Sequence, residues 1–128
     1  MKNGKICFLI DDDIDDQEIF TLVLKSVNPA ITCVTANDGI EAVAKLTTEA
    51  TFNPDYIFLD LNMPRMSGKE CLQEIKKIGR LNGTPIVIYS TSSEQKDILE
   101  TRALGASDYL EKQSSIEELK NRLAHYFK

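Results

Sequence analysis

At 128 residues the chain is long enough for one domain with its own core, and its 42% apolar and 27% charged residues are ordinary for a folded globular protein. A net charge of −5 with no basic stripe argues against a nucleic-acid surface, which needs cations to meet phosphates. No apolar run reaches the length of a membrane span or resembles a signal peptide, and Cys7, Cys33 and Cys71 form no CxxC, so reduced thiols without a disulfide and a cytoplasmic setting are expected.

The first element is "KICFLI" (5–10), a continuous apolar run of the kind a strand covered on both faces requires. Five acids follow within six positions, 11 to 16, and then Ile19, Phe20, Val23, Leu24 and Val27 recur at helical spacing until Pro29. "ITCVTA" (31–36) is β-branched and more alternating, hence a strand nearer an edge. Asp38 can cap a helix that carries Ile40, Val43 and Leu46 on one face. "YIFLDL" (56–61) is a second buried strand, and "SGKE" (67–70) has the spacing of a capping box before Leu72, Ile75 and Ile78. "NGTP" turns the chain into the strand "IVIYS" (86–90). "SSEQ" (92–95) is placed to cap a helix running through Ile98 and Leu104 to Gly105. A short strand "SDYLE" (107–111) and a last helix with apolar residues at 116, 119, 123 and 127 close the chain.

Strands alternating with helices predict an α/β fold, a doubly wound parallel sheet covered on both faces. For five strands the common flavodoxin-like order is 2-1-3-4-5, which makes the apolar strands central and the more polar second and fifth the edges. The ligand crevice of such a sheet lies outside the carboxyl ends of its first and third strands. The acid cluster ends the first of these and Asp60 lies near the end of the other.

Adjacent strands lie roughly 4.8 Å apart, so Asp11 and Asp12 are expected to meet Asp60 across one strand spacing. Clustered carboxylates must be protonated or hold a cation, and Mg²⁺, which prefers oxygen ligands, suits them. Ser90 ends the fourth strand, and Lys112 follows the fifth with a stem long enough to reach back. A carboxylate nucleophile, a metal, a hydroxyl and an ammonium together are equipment for transferring a phosphoryl group. Asp13, Asp15 and Asp16 read as helix-capping or dipole-favouring acids, His125 as a charge at a helix C-terminus, and Met63 and Met66 as gap-fillers. No glycine pattern offers a nucleotide phosphate loop.

Four stretches, "FLIDD", "YIFLDLNMPRMSG", "TPIVIYST" and "ALGASDYLEK", together resemble the receiver domain of two-component response regulators, of the single-domain, chemotaxis-regulator-like type. The resemblance spans essentially residues 1–128 as one receiver domain with no output domain. It implies that Asp60 accepts a phosphoryl group from a sensor histidine kinase. It implies Mg²⁺ held by Asp12, Asp60 and the backbone carbonyl of Asn62, with Asp11 acting through water. Ser90 and Lys112 would contact the phosphoryl group, and Tyr109 would be the aromatic switch. Such a protein is a phosphoacceptor and not a turnover enzyme, and its output would pass to a downstream target protein or a histidine phosphotransfer domain.

Two positions depart from the family pattern. Gln113 stands where a proline is common, so a trans Lys112–Gln113 bond is expected. Thr91 is bulkier than the usual residue beside the switch hydroxyl and would narrow access to the site. One rival reading is a haloacid-dehalogenase-type phosphatase, with Asp11 and Asp13 as its D-x-D. That motif wants threonine where Asp15 stands, and nothing supplies its later acidic pair. The other rival is a degenerate receiver acting only as a binding module, although none of the acids nor the lysine is lost.

Overall fold

The computed structural model describes residues 5–112 and 115–127. The chain alternates β1 (Ile6–Ile10), α1 (Ile14–Val27), β2 (Thr32–Ala36), α2 (Gly39–Thr48), β3 (Tyr56–Leu59) and α3 (Gly68–Lys76). A 3₁₀ turn (Gly79–Leu81), β4 (Ile86–Ser90), α4 (Gln95–Ala103), β5 (Asp108–Glu111) and α5 (Ile116–Phe127) complete it. The strands form one parallel sheet in the order β2-β1-β3-β4-β5, as the pattern of apolar runs predicts.

Strand side chains alternate between faces, and this divides the core in two. Phe8, Ile10, Ile57, Leu59, Ile86 and Ile88 pack with Ala42 and Leu46 of α2 and Leu72 and Ile75 of α3. Cys7, Leu9, Phe58, Val87 and Tyr89 face Phe20, Val23 and Leu24 of α1 and Leu119, Leu123 and Phe127 of α5. The central strands are apolar on both faces because both are covered.

Capping follows local chemistry for three helices. Asp13 accepts from the Asp16 amide, Asp38 from the Glu41 amide, and Ser67 and Glu70 form a reciprocal capping box. The fourth differs from expectation. α4 starts at Gln95 after Glu94, with no side-chain cap; the Ser92 hydroxyl accepts from the Glu94 amide just outside the helix and donates to Asp97. The inward helix faces also differ from the simple apolar count. Ile19, Ile40 and Ile116 are exposed, and Gln17 and Ala42 occupy buried positions on α1 and α2. α3 ends before Ile78, and β3 ends at Leu59, leaving Asp60 and Leu61 beyond the strand. Of the α4 residues only Thr101 is buried, so this helix is the one least bound to the core.

Sheet register positions the strand ends. Ile10 pairs with both Ala36 and Leu59, and the ladder runs one residue further: the Asp11 amide donates to Ala36 (3.1 Å) and the Asp60 amide to Ile10 (2.9 Å). On the other side of β4 the Lys112 amide donates to the Ser90 carbonyl at 2.7 Å. Asp11, Asp60, Ser90 and Lys112 therefore leave the sheet at one edge.

Candidate functional site

Asp11 is fully buried, Asp60 is 5% exposed, and Asp12 is exposed at the mouth. Each offers a carboxylate oxygen, and these oxygens lie within 4.8 Å of one another, as the adjacent strand ends predict. Asp11 Oδ1 accepts from the Asp13 amide at 3.0 Å, and the buried Gln17 side chain donates to the Asp11 carbonyl at 2.6 Å. Asp60 Oδ1 accepts from the Asn62 amide at 3.4 Å, and Asn62 is exposed.

Lys112 points inward. Its ammonium lies 2.8 Å from Asp11 Oδ2, 2.8 Å from Asp16 Oδ2 and 3.6 Å from Asp60 Oδ2, with the Tyr89 ring centroid 5.3 Å away. Only the approach to Asp16 is also aligned as a hydrogen bond, and among the described residues Asp11 Oδ2 is a buried oxygen without an aligned donor. Burial alone would lower the lysine pKa, but the carboxylates of Asp11 and Asp16 beside it outweigh that and raise it. Asp60 is pushed up to about 7, chiefly by burial, with Lys112 opposing and the Asp11 charge reinforcing the rise.

An oxygen buried without an aligned donor, beside two further carboxylates, fits a hard divalent cation, which needs oxygen ligands and offsets their repulsion. Added positive charge would also favour the ionised, nucleophilic form of Asp60.

Ser90 is fully buried, and its hydroxyl oxygen accepts from the Ser92 amide at 3.1 Å. Tyr109 is half-buried against the α2–α3 side of the core, and its hydroxyl donates to the Ser92 carbonyl at 2.8 Å. Ser92 in turn donates to Asp97, which also accepts from Lys69 of α3 at 2.8 Å. One short segment thus connects Ser90, Tyr109, α3 and α4. Thr91 is exposed beside it. The Lys112–Gln113 bond falls outside the described residues.

Three participants carry weaker sequence signals. Asp16 reads as a helix-end acid, yet its side chain reaches Lys112; nothing in the local pattern announces a contact across 96 positions. Gln17 is a polar residue on the inward face of α1, a signal visible in the periodicity. Gly68 lies within the "NMPRMSG" run, but its steric role needs the loop path. Cys7 is buried and Cys33 half-buried, and both are free thiols.

The profile of the response regulator receiver domain family matches residues 7–124. The Response regulator Rcp1 of Synechocystis is 30% identical over 119 residues, covering 90% of this chain and 81% of that protein. The solved phosphorylated cyanobacterial phytochrome response regulator RcpA superposes with a TM-score of 0.87 at 32% identity, covering 95% of this chain and 90% of that one. The solved Mn²⁺-bound form of Rcp1 superposes with a TM-score of 0.83 at 30% identity, covering 94% and 90%.

Proposed function

Because the chain belongs to the response regulator receiver domain family of two-component signalling, we propose that Asp60 is its phosphoacceptor and that a sensor histidine kinase is the donor. The observation that carries this reading is the position of Asp60: one residue beyond its strand, 5% exposed, with Lys112 at 3.6 Å and the oxygens of Asp11 and Asp12 close by.

In the transfer, an Asp60 carboxylate oxygen attacks phosphorus. The P–O bond of an acyl phosphate forms as the P–N bond of phosphohistidine breaks, and the departing imidazole nitrogen keeps the electron pair and takes up a proton. Lys112 places its charge beside the incoming equatorial oxygens. The Ser90 hydroxyl, whose oxygen accepts from the Ser92 amide, can donate its proton to one of them. Tyr109 is coupled to the same segment through its hydroxyl, so a shift there reaches the surface of α4, β5 and α5. Thr91, exposed at the mouth, sets access to the site.

The metal in this reading is Mg²⁺, which would be held by Asp12, Asp60 and the backbone carbonyl of Asn62, with Asp11 acting through water. Bound there, it supplies positive charge that favours ionised Asp60 and offsets the charge of the arriving phosphoryl group. The protein acts in the cytoplasm as a phosphoacceptor that assists its own phosphorylation and loses the group by hydrolysis. Its output goes to a downstream protein or a histidine phosphotransfer domain, with no nucleic acid or membrane as partner. The dehalogenase-type phosphatase and binding-only readings are not favoured, since the family match extends over almost the whole chain.

Intact-mass measurement after acetyl phosphate and Mg²⁺ treatment tests this. Wild type should gain one phosphoryl group, and Asp60→Asn should gain none while remaining folded. An adduct that survives in Asp60→Asn would overturn the assignment.

A further inference from the structure

Lys112 is shared among three carboxylates, and the sharing is uneven. Its ammonium makes an aligned 2.8 Å bond to Asp16, lies 2.8 Å from Asp11 and stands 3.6 Å from Asp60. Asp16 is not the cap of α1, a position filled by Asp13. Its main-chain amide is engaged by that cap, which fixes its Cα and leaves the side chain to reach across to β5. The lysine side chain is 10% exposed and the Asp16 side chain 34%. The pair therefore lies at the rim of the site, where water screens it only in part.

We propose that Asp16 is a positioning residue that holds the Lys112 ammonium on the α1 side of the site, away from Asp60 and from a phosphoryl group there. The proposal rests on the reading of Asp60 as phosphoacceptor and adds a resident competitor to it. An ammonium has three protons and no acceptor capacity. One proton points to Asp16, so moving the ammonium in from 3.6 Å toward Asp60 works against that bond. Each move of Lys112 toward Asp60 is thus opposed by a carboxylate that takes no part in the chemistry. The same pair orders the rim between α1 and the end of β5. Removing the Asp16 charge should place the ammonium closer to Asp60 and ease phosphoryl arrival.

Asp15 supplies the control, because it is an equally charged acid of the same helical turn, exposed, with no bond to Lys112 among the described residues. Two readouts are taken on the full chain. In the first, the Lys112 ammonium resonance is followed by ¹⁵N–¹H NMR without phosphodonor; it should shift in Asp16→Asn, stay in place in Asp15→Asn and return toward wild type in Asp16→Glu. In the second, adduct formation with acetyl phosphate and Mg²⁺ should be roughly two- to fivefold faster in Asp16→Asn, the range a partly exposed ion pair commands. Asp15→Asn should leave the rate near wild type, and the Asp16→Asn gain should vanish in a Lys112→Met background. An unmoved Lys112 resonance, equal gains in both Asn variants, or a gain that persists without Lys112 would overturn the proposal. If wild type takes up no phosphoryl group while the resonance still shifts as stated, the phosphoacceptor reading fails and the positioning of Lys112 by Asp16 stands.

Discussion

Gly68 lies against the main chain that carries Asp60: a Cβ built on it would stand 2.3 Å from the Asp60 carbonyl oxygen and 2.5 Å from the Leu61 Cα. The Gly68 amide donates to the Leu61 carbonyl at 2.8 Å, so the start of α3 is bonded directly to the turn after β3. Only glycine permits this approach, since the obstructing atoms are main chain and cannot rotate away. Gly68→Ala should cost about 2 kcal/mol or more of stability, as overpacking against backbone does. It should also slow phosphorylation by displacing Asp60. Urea unfolding checks the first effect and adduct formation the second; an alanine variant as stable as wild type would show that the turn yields freely.

Stability of the metal-free protein should fall as pH rises, through Asp60. Its folded pKa is raised from 3.8 to about 7, so between those values the folded state binds a proton that the unfolded state has released. The contribution is largest below the unfolded pKa and is lost as pH rises through the folded one. The wild-type stability minus that of Asp60→Asn should therefore decrease by roughly 2 kcal/mol between pH 4 and pH 8, a figure set below the full shift to allow for water and Lys112 adjusting. Urea midpoints with chelator present measure it. A difference that does not change with pH would refute the burial account.

Divalent cations should stabilise the fold, because the ligand oxygens come together only in the native sheet. Mg²⁺ at ten times its dissociation constant should add about 1.4 kcal/mol. Asp11→Asn should lose most of this gain, since the oxygen without an aligned donor belongs to Asp11. Thermal melts with and without Mg²⁺ decide it, and an equal gain in the variant would place the cation elsewhere.

Tyr109→Phe should loosen the segment after β4. It removes the donor to the Ser92 carbonyl, a bond worth about 1 kcal/mol, and keeps the ring in place. Amide exchange at residues 92–97 should quicken while the central strands remain protected. Unchanged exchange there would mean that Ser92 is held by Ser90 and Asp97 alone.

The sequence by itself determined the architecture and much of the site. Unbroken apolar runs at 5–10, 56–59 and 86–90 require strands covered on both faces, which leaves a doubly wound sheet as the natural arrangement. Residues ending those runs must then emerge at one edge, and so Asp11, Asp12, Asp60, Ser90 and Lys112 were legible as neighbours. Cap positions at Asp38 and Ser67 were legible too, since capping is a matter of three or four adjacent residues.

Tertiary structure decided how those groups share one another. Lys112 divides its charge among Asp11, Asp16 and Asp60 because the fold brings the start of α1 to the residue after β5, a contact made by residues 96 positions apart. Burial, which no residue encodes alone, sets the Asp60 pKa near 7. The same holds for helix faces: periodicity marks Ile19, Ile40 and Ile116 as apolar, but only the direction in which each helix lies on the sheet turns them outward. The Ser92 hydroxyl, a helix cap by its position in the sequence, accepts from the Glu94 amide and donates to Asp97, a carboxylate that Lys69 of α3 also engages. Local pattern fixes which residues can form an element or meet at an edge. Distance, burial and competition between partners exist only once the elements are packed.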